Sequence, residues 1–269
     1  MGAVLSANPK QPLIIAHRGS SSVAPENTLA AFAQAIADRA DGIEFDVQLA
    51  KDGVPVIIHD ANLRRTANRR ARIKNLTSAE LASIEVGSWF NRTYPRRAKP
   101  AYANEHIPTL DQVVSLIASG ARSDFVCYVE LKVDQRDTSF GNLVESVLTS
   151  IDAHRLPRNI TIVSFNLAAL AYAKRLKPSI RTGALFEPIA LTPKRKRTII
   201  NRAIECGATE ILLHRLIARR GMIELAIESG LTPVVWTVDD PRWVDRAERL
   251  GIHALITNRP ANLIDRLNS

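Results

Sequence analysis

The chain has 269 residues, 46% hydrophobic and 5% aromatic, and its 36 Lys and Arg against 27 Asp and Glu give a net charge of +9. That length suits one large α/β domain. No apolar run approaches the roughly 20 residues of a membrane span, no leader marks the N-terminus, and the composition is not that of a disordered chain.

MGAVLS matches the short myristoylation pattern only loosely and is not taken as an anchor. Cys127 and Cys206 lack metal-ligand spacing and read as buried thiols of a reduced, cytoplasmic protein. Basic residues cluster at 64–74, 92–99, 194–197 and 215–220. Each alone reads as solvated surface; together they favour anionic partners. Without interleaved aromatics they make no stacking platform, so no nucleic-acid partner is expected.

In chain order, LIIAH (13–17) reads as a buried strand, and ENTLAAFAQAIADR as a helix burying Leu29, Phe32, Ala33 and Ile36. GIEFDVQLA and, after the turn Asp52-Gly53, VPVIIHD read as strands. Residues 61–106 break the rhythm: they are Arg-rich, with a short helix in TSAELASI, and read as a cap inserted within the one domain. A helix from Thr109 then precedes strand 125–133 and helix 140–155. Strand ITIVSFN, helix AALAYAKRLK, strand RTGALF, helix 195–206, strand EILLH and helix 219–229 follow. TPVVWTV, helix PRWVDRAERLG, HALITN and a terminal helix complete the series. Strands alternating with helices predict a parallel sheet, and so many units predict a closed (β/α)8 TIM barrel. Nine strand-like stretches are one too many. Either a weak one lies outside the barrel, or the helix-free stretch 42–59 pairs unusually.

Barrel active sites form at the C-terminal ends of the strands. His17, Glu44 with Asp46, His59, and Glu130 with Lys132 all fall at or near such ends. Spacing of two puts Glu44 and Asp46 on one face, with Ile43, Phe45 and Val47 on the other. Carboxylates in apolar strands need positive compensation, from ion pairs with Arg and Lys at the mouth or from a hard divalent cation held by Glu44, Asp46 and Glu130. Two histidines flanking them suit an acid–base couple; Arg18 offers a planar fork for phosphate and Lys132 a point charge. The set suits attack on a phosphodiester without a Ser or Cys nucleophile.

The chain also resembles the glycerophosphodiester phosphodiesterases. The shared pieces are HRG (17–19), PENT (25–28), EFDV (44–47), KDGVPVIIHD (51–60), GSWF (87–90), IPTLDQVV (107–114), ELK (130–132), SF (164–165), WTV (236–238) and ITNRP (256–260). Each is weak alone, but ten in order across nearly the whole chain are not. The resemblance implies a TIM barrel that hydrolyses glycerophosphodiesters to glycerol 3-phosphate and an alcohol, with a Ca or Mg ion. By position it makes His17 and His59 the acid–base pair, Glu44, Asp46 and Glu130 the metal ligands, Arg18 and Lys132 the phosphate holders, and Trp236 a lining of the glycerol end. A related barrel enzyme acting on lysophospholipid or sphingomyelin shares the layout, but the insertion at 61–106 favours the first family. Two departures stand out. NLRRTANRRARIKNLT follows HD where the family usually has a Leu-Asp-Arg-Thr-Thr run, and ITN stands where it often has an aspartate. Neither is expected to touch the acid–base or metal positions. The Arg-rich cap suggests anionic headgroups or peripheral contact with an anionic membrane.

Overall fold

The computed structural model describes residues 11–134, 138–153, 160–188 and 192–269; the MGAVLS segment and the end of the helix expected at 140–155 lie outside them. Among the described residues there are nine strands: β1 (Leu13–His17), β2 (Gly42–Leu49), β3 (Pro55–Ile57), β4 (Val126–Leu131), β5 (Ile160–Ser164), β6 (Arg181–Phe186), β7 (Glu210–His214), β8 (Thr232–Trp236) and β9 (Ala254–Thr257). Eight run parallel in the order β1-β9-β8-β7-β6-β5-β4-β2, and pairing of β1 with β2 closes the barrel. The surplus strand is β3, which pairs antiparallel with the far end of β2, Val47 opposite Ile57 and Leu49 opposite Pro55. β2 therefore overshoots the rim, turns at Gly53 (φ +79°), and β3 returns the chain to the rim. So His59 follows a hairpin arm rather than a barrel strand.

Alternation along each strand sorts the side chains. Ile15, Tyr128, Val163, Leu185, Leu212, Val234 and Ile256 fill the barrel, while Ile43, Phe45, Val47, Cys127, Val129 and Leu131 pack outward against the helices. At the N-terminal end, the wholly buried Glu210 accepts hydrogen bonds from Tyr128 Oη (2.8 Å), Thr161 Oγ1 (3.0 Å) and Arg181 (2.6 Å). This polar plug belongs to the face of the barrel that serves stability rather than catalysis.

The first helix is Leu29–Ala37, and its N-cap Thr28 accepts a hydrogen bond from the Ala31 amide. That phase buries Ala31, Phe32 and Ala35; Ala33, expected inside, is exposed. Residues 61–106 form short helical turns, among them Arg64–Ala67, Ser78–Ala82 and Ser88–Thr93. Leu63, Ile73, Leu81, Ile84 and Val86 cluster on Val56 and Ile58 of the β3 arm. Phe90 and Tyr102 pack on Ala24 and Ala31 beside the β1 end. The segment thus sits at the C-terminal end of the barrel, on the overshooting hairpin. Both cysteines are buried, and burial pushes the Cys127 thiol up to about 12. Among the described residues no helix is long and apolar enough to cross a membrane.

Candidate active site

His17 ends β1, with its ring Nδ1 2.7 Å from Asn258 Oδ1, just past β9. Asn258 Nδ2 donates to Asp239 Oδ2 (2.9 Å), which leaves the amide oxygen facing the imidazole. Nδ1 therefore carries the proton, and Nε2, 3.8 Å from Glu44 Oε2, is the basic nitrogen. Burial, then the neighbouring Arg18, lower the His17 pKa to about 4, so the ring is neutral at pH 7.

Arg18 adopts φ +54° and Asn27 φ +57°, a left-handed backbone that costs a non-glycine residue roughly 1 kcal/mol or more. Both are held by the acidic cluster. The Arg18 amide donates to Glu44 O (2.8 Å), its guanidinium pairs with Asp46 (3.0 Å) and Glu26 (2.8 Å), and Asn27 Nδ2 donates to Asp46 Oδ2 (2.7 Å).

Glu44, Asp46 and Glu130 are all buried, each with a carboxylate oxygen within 4.8 Å of the others. Opposite registers bring them together, since Asp46 on β2 pairs directly with Glu130 on β4. Lys132 Nζ lies 2.8 Å from Glu130 and 3.5 Å from Asp46. So ion pairing at the mouth is real, but it serves three carboxylates with two cations. Burial would raise Asp46, yet Arg18 and Lys132 outweigh it and hold its carboxyl at about 2. The deficit falls on the other two. Burial and then Asp46 push Glu130 up to about 7, and burial, Asp46 and Glu130 raise Glu44 well above the carboxylate range. Among the described residues the buried Glu44 Oε1 has no hydrogen-bond partner, and Asp46 Oδ1 has only the Lys132 ammonium at 3.5 Å. Under-partnered oxygens in an all-oxygen donor set fit a hard divalent cation.

His59 stands across the mouth, its Nδ1 2.7 Å from Asp60 Oδ1. Arg65 anchors that carboxylate (2.7 Å) and grips Glu26 through two hydrogen bonds (2.8 and 2.9 Å). A chain Asp60–Arg65–Glu26–Arg18 thereby links the two histidine sides of the site. His17, Arg18, Glu44, His59, Glu130, Lys132 and Trp236 line one cavity of about 360 Å³, and Asp46 lies wholly buried behind Arg18 and Lys132. Opposite the charges the wall is mostly apolar, formed by Val163, Phe165, Leu185, Leu212, Trp236 and Ile256, with Glu187 among them. Trp236 sets its ring edge-to-face with Phe165 (5.6 Å between centroids) and donates from Nε1 to Leu212 O (3.2 Å).

Sequence reasoning missed Asn258, Asp239, Asp60, Arg65, Glu26 and a third rim histidine, His214, 5.1 Å from the Trp236 ring. The expectation that ITN leaves the acid–base positions untouched is overturned, because Asn258 holds His17 directly. Nor does the run after HD stay clear of them, since its Arg65 braces the Asp60 bound to His59. Asp60, next to His59 in the HD pair, was the one partner that adjacency could have signalled.

A closed parallel barrel with this rim chemistry defines an enzyme of the phosphodiester hydrolase class. Comparison then makes it specific. The profile of the glycerophosphoryl diester phosphodiesterase family matches residues 17–262, and the chain belongs to that family. It is 31% identical to a glycerophosphodiester phosphodiesterase of Caldanaerobacter subterraneus, covering 94% of this chain and 96% of the relative. A Bacillus subtilis glycerophosphodiester phosphodiesterase is likewise 31% identical, over 94% and 85% of the two chains. Among solved structures, an Oleispira antarctica phosphodiesterase in complex with the product sn-glycerol-3-phosphate superposes with a TM-score of 0.82 at 27% identity, over 96% of this chain and 98% of that one.

Proposed function

We propose that this protein hydrolyses glycerophosphodiesters to sn-glycerol 3-phosphate and an alcohol, within glycerophospholipid breakdown, with one Ca or Mg ion on Glu44, Asp46 and Glu130. The observation that carries the reading is the convergence, in one cavity, of two histidines whose Nδ1 atoms are both engaged and a carboxylate triad with under-partnered oxygens. The ion, when bound, supplies Lewis-acid stabilisation of charge developing on the phosphoryl oxygens.

The chain's own groups do the rest. Neutral His17 takes a proton of the attacking water at Nε2, the nitrogen left basic by the Asn258 contact. As the new P–O bond forms, the bond to the departing alcohol breaks, and His59, held by Asp60, gives that oxygen a proton from Nε2. Arg18 and Lys132 sit where cations meet a phosphate, and Trp236 with Phe165 lies against the carbon skeleton of the glycerol. Residues 61–106 act as a cap within the single domain, fixing Asp60 through Arg65. The two free buried thiols suit the reducing cytoplasm.

The test is release of glycerol 3-phosphate from glycerophosphocholine by wild type, His17→Ala and His59→Ala. The reading expects turnover in wild type and its loss in both variants. Wild-type activity that survives both substitutions refutes the assignment.

A further inference from the structure

The net positive charge of this protein is concentrated in one segment. Residues 61–106 hold ten Lys and Arg against three Asp and Glu, which is +7 of the chain's +9. The three acids are turned to backbone amides: Glu80 to Thr77, Glu85 to Gly87 and Ser88, and Glu105 to Ala30 of the first helix. Of the ten cations, Arg65 alone pairs with carboxylates among the described residues, and all ten are exposed.

Their position gives the charge a direction. The segment rests on the hairpin that overshoots the rim, so the cations crown the end that holds the cavity mouth. Arg97 donates to Ser22 O (2.6 Å), and the Ser22 amide donates to the backbone oxygen of Asn258, the residue whose side chain holds His17. Within this basic field two apolar side chains face solvent: Tyr94 (41% exposed), in the run RTYPRRAKP, and Val23 (37%). They are neighbours, since Tyr102 donates to Val23 O (2.8 Å) while the Tyr94 and Tyr102 rings both pack on Phe90.

We propose that this face docks the protein on an anionic lipid surface, with its cavity mouth toward the membrane. Clustered cations draw a protein to acidic headgroups, and an exposed tyrosine ringed by arginines suits the headgroup layer, apolar in body and polar at its tip. A nucleic-acid strand would call for a row of stacking rings, which this face lacks. Binding of this kind is separate from catalysis and is read without turnover.

The experiment is co-sedimentation of the intact protein with phosphatidylcholine vesicles, with and without phosphatidylglycerol, at low and high salt. Wild type is expected to pellet only with phosphatidylglycerol and to be released by salt. Arg69→Gln, Arg70→Gln, Arg92→Gln and Arg96→Gln should each weaken binding roughly fivefold, with turnover of soluble glycerophosphocholine unchanged. The same positions changed to Lys should retain binding, and Tyr94→Ala should weaken it. No pelleting at low salt, equal pelleting with neutral vesicles, or indifference to the Gln variants overturns the proposal. So does Tyr94→Ala without effect alongside equal competition by a soluble polyanion, which means diffuse charge attraction only.

Discussion

His17 Nδ1 lies 2.7 Å from Asn258 Oδ1, and the amide that holds it is itself tied to Asp239 by both its backbone and side-chain nitrogens (2.8 and 2.9 Å). An amide can present its oxygen to the imidazole only while its NH2 has another acceptor, so Asp239 sets the His17 tautomer through Asn258. Asn258→Ala should lower kcat roughly 10- to 100-fold, with KM for glycerophosphocholine changing far less. Asn258→Asp keeps the acceptor but adds a charge beside His17 and sets two carboxylates together. It should therefore move the acid limb of the pH–rate profile upward. Unchanged kcat in Asn258→Ala would remove the relay from the account.

A second prediction separates the two histidines. If His59 protonates the leaving alkoxide, its loss matters only where the leaving group needs a proton. His59→Ala and Asp60→Asn should cripple cleavage of glycerophosphocholine yet spare most of the rate on a p-nitrophenyl glycerophosphodiester. His17→Ala should be slow on both. Equal losses on the two substrates for His59→Ala would contradict the assignment.

Stability at the other end of the barrel rests on Glu210. Removing it strands the buried Tyr128 and Thr161 hydroxyls, at roughly 1 to 3 kcal/mol each, and leaves the half-exposed Arg181 guanidinium to water. Glu210→Ala should lower the melting temperature by roughly 6 °C or more, with specific activity per folded molecule unchanged. A variant melting with wild type would show that the plug adds no stability.

Much of this was legible in the chain, for identifiable reasons. The period of two in IEFDV and VELK announces which residues face the barrel axis, and the structure puts Glu44, Asp46, Glu130 and Lys132 there together. The count of nine strands was correct too, but β3 is as apolar and buried as a barrel strand, and only its antiparallel partner shows that it is not one. Asn258 and Arg65 were hidden for another reason. Asn258 reaches His17 across 241 residues and Arg65 reaches Glu26 across 39, which no local pattern encodes. Ala33 was misplaced because small residues fill both faces of its helix, and the Thr28 cap decided the phase.

Proton linkage follows from the crowded carboxylates. With Glu130 raised to about 7 from an ordinary 4.5, the folded protein without an ion holds a proton that the unfolded chain gives up sooner. That contribution to stability is complete below pH 4.5 and is lost as pH rises through 7. Ligation requires the ionised carboxylate, so ion binding expels the proton. Thermal melts of chelator-treated protein should therefore gain most from added ion above pH 7. Calorimetric titration of the ion below pH 7 should give heats that depend on the buffer. Buffer-independent heats would mean that the triad is already ionised.

The central claim is that Glu44, Asp46 and Glu130 hold the ion on which turnover depends. The most direct measurement is glycerol 3-phosphate release by chelator-treated protein, titrated separately with Ca and with Mg, for wild type and for Glu44→Gln and Glu130→Gln. The account predicts no turnover after chelation, saturable recovery with one ion in wild type, and recovery in the variants only at far higher ion concentration, if at all. Full activity in the chelated protein, or identical recovery curves for all three proteins, would contradict it.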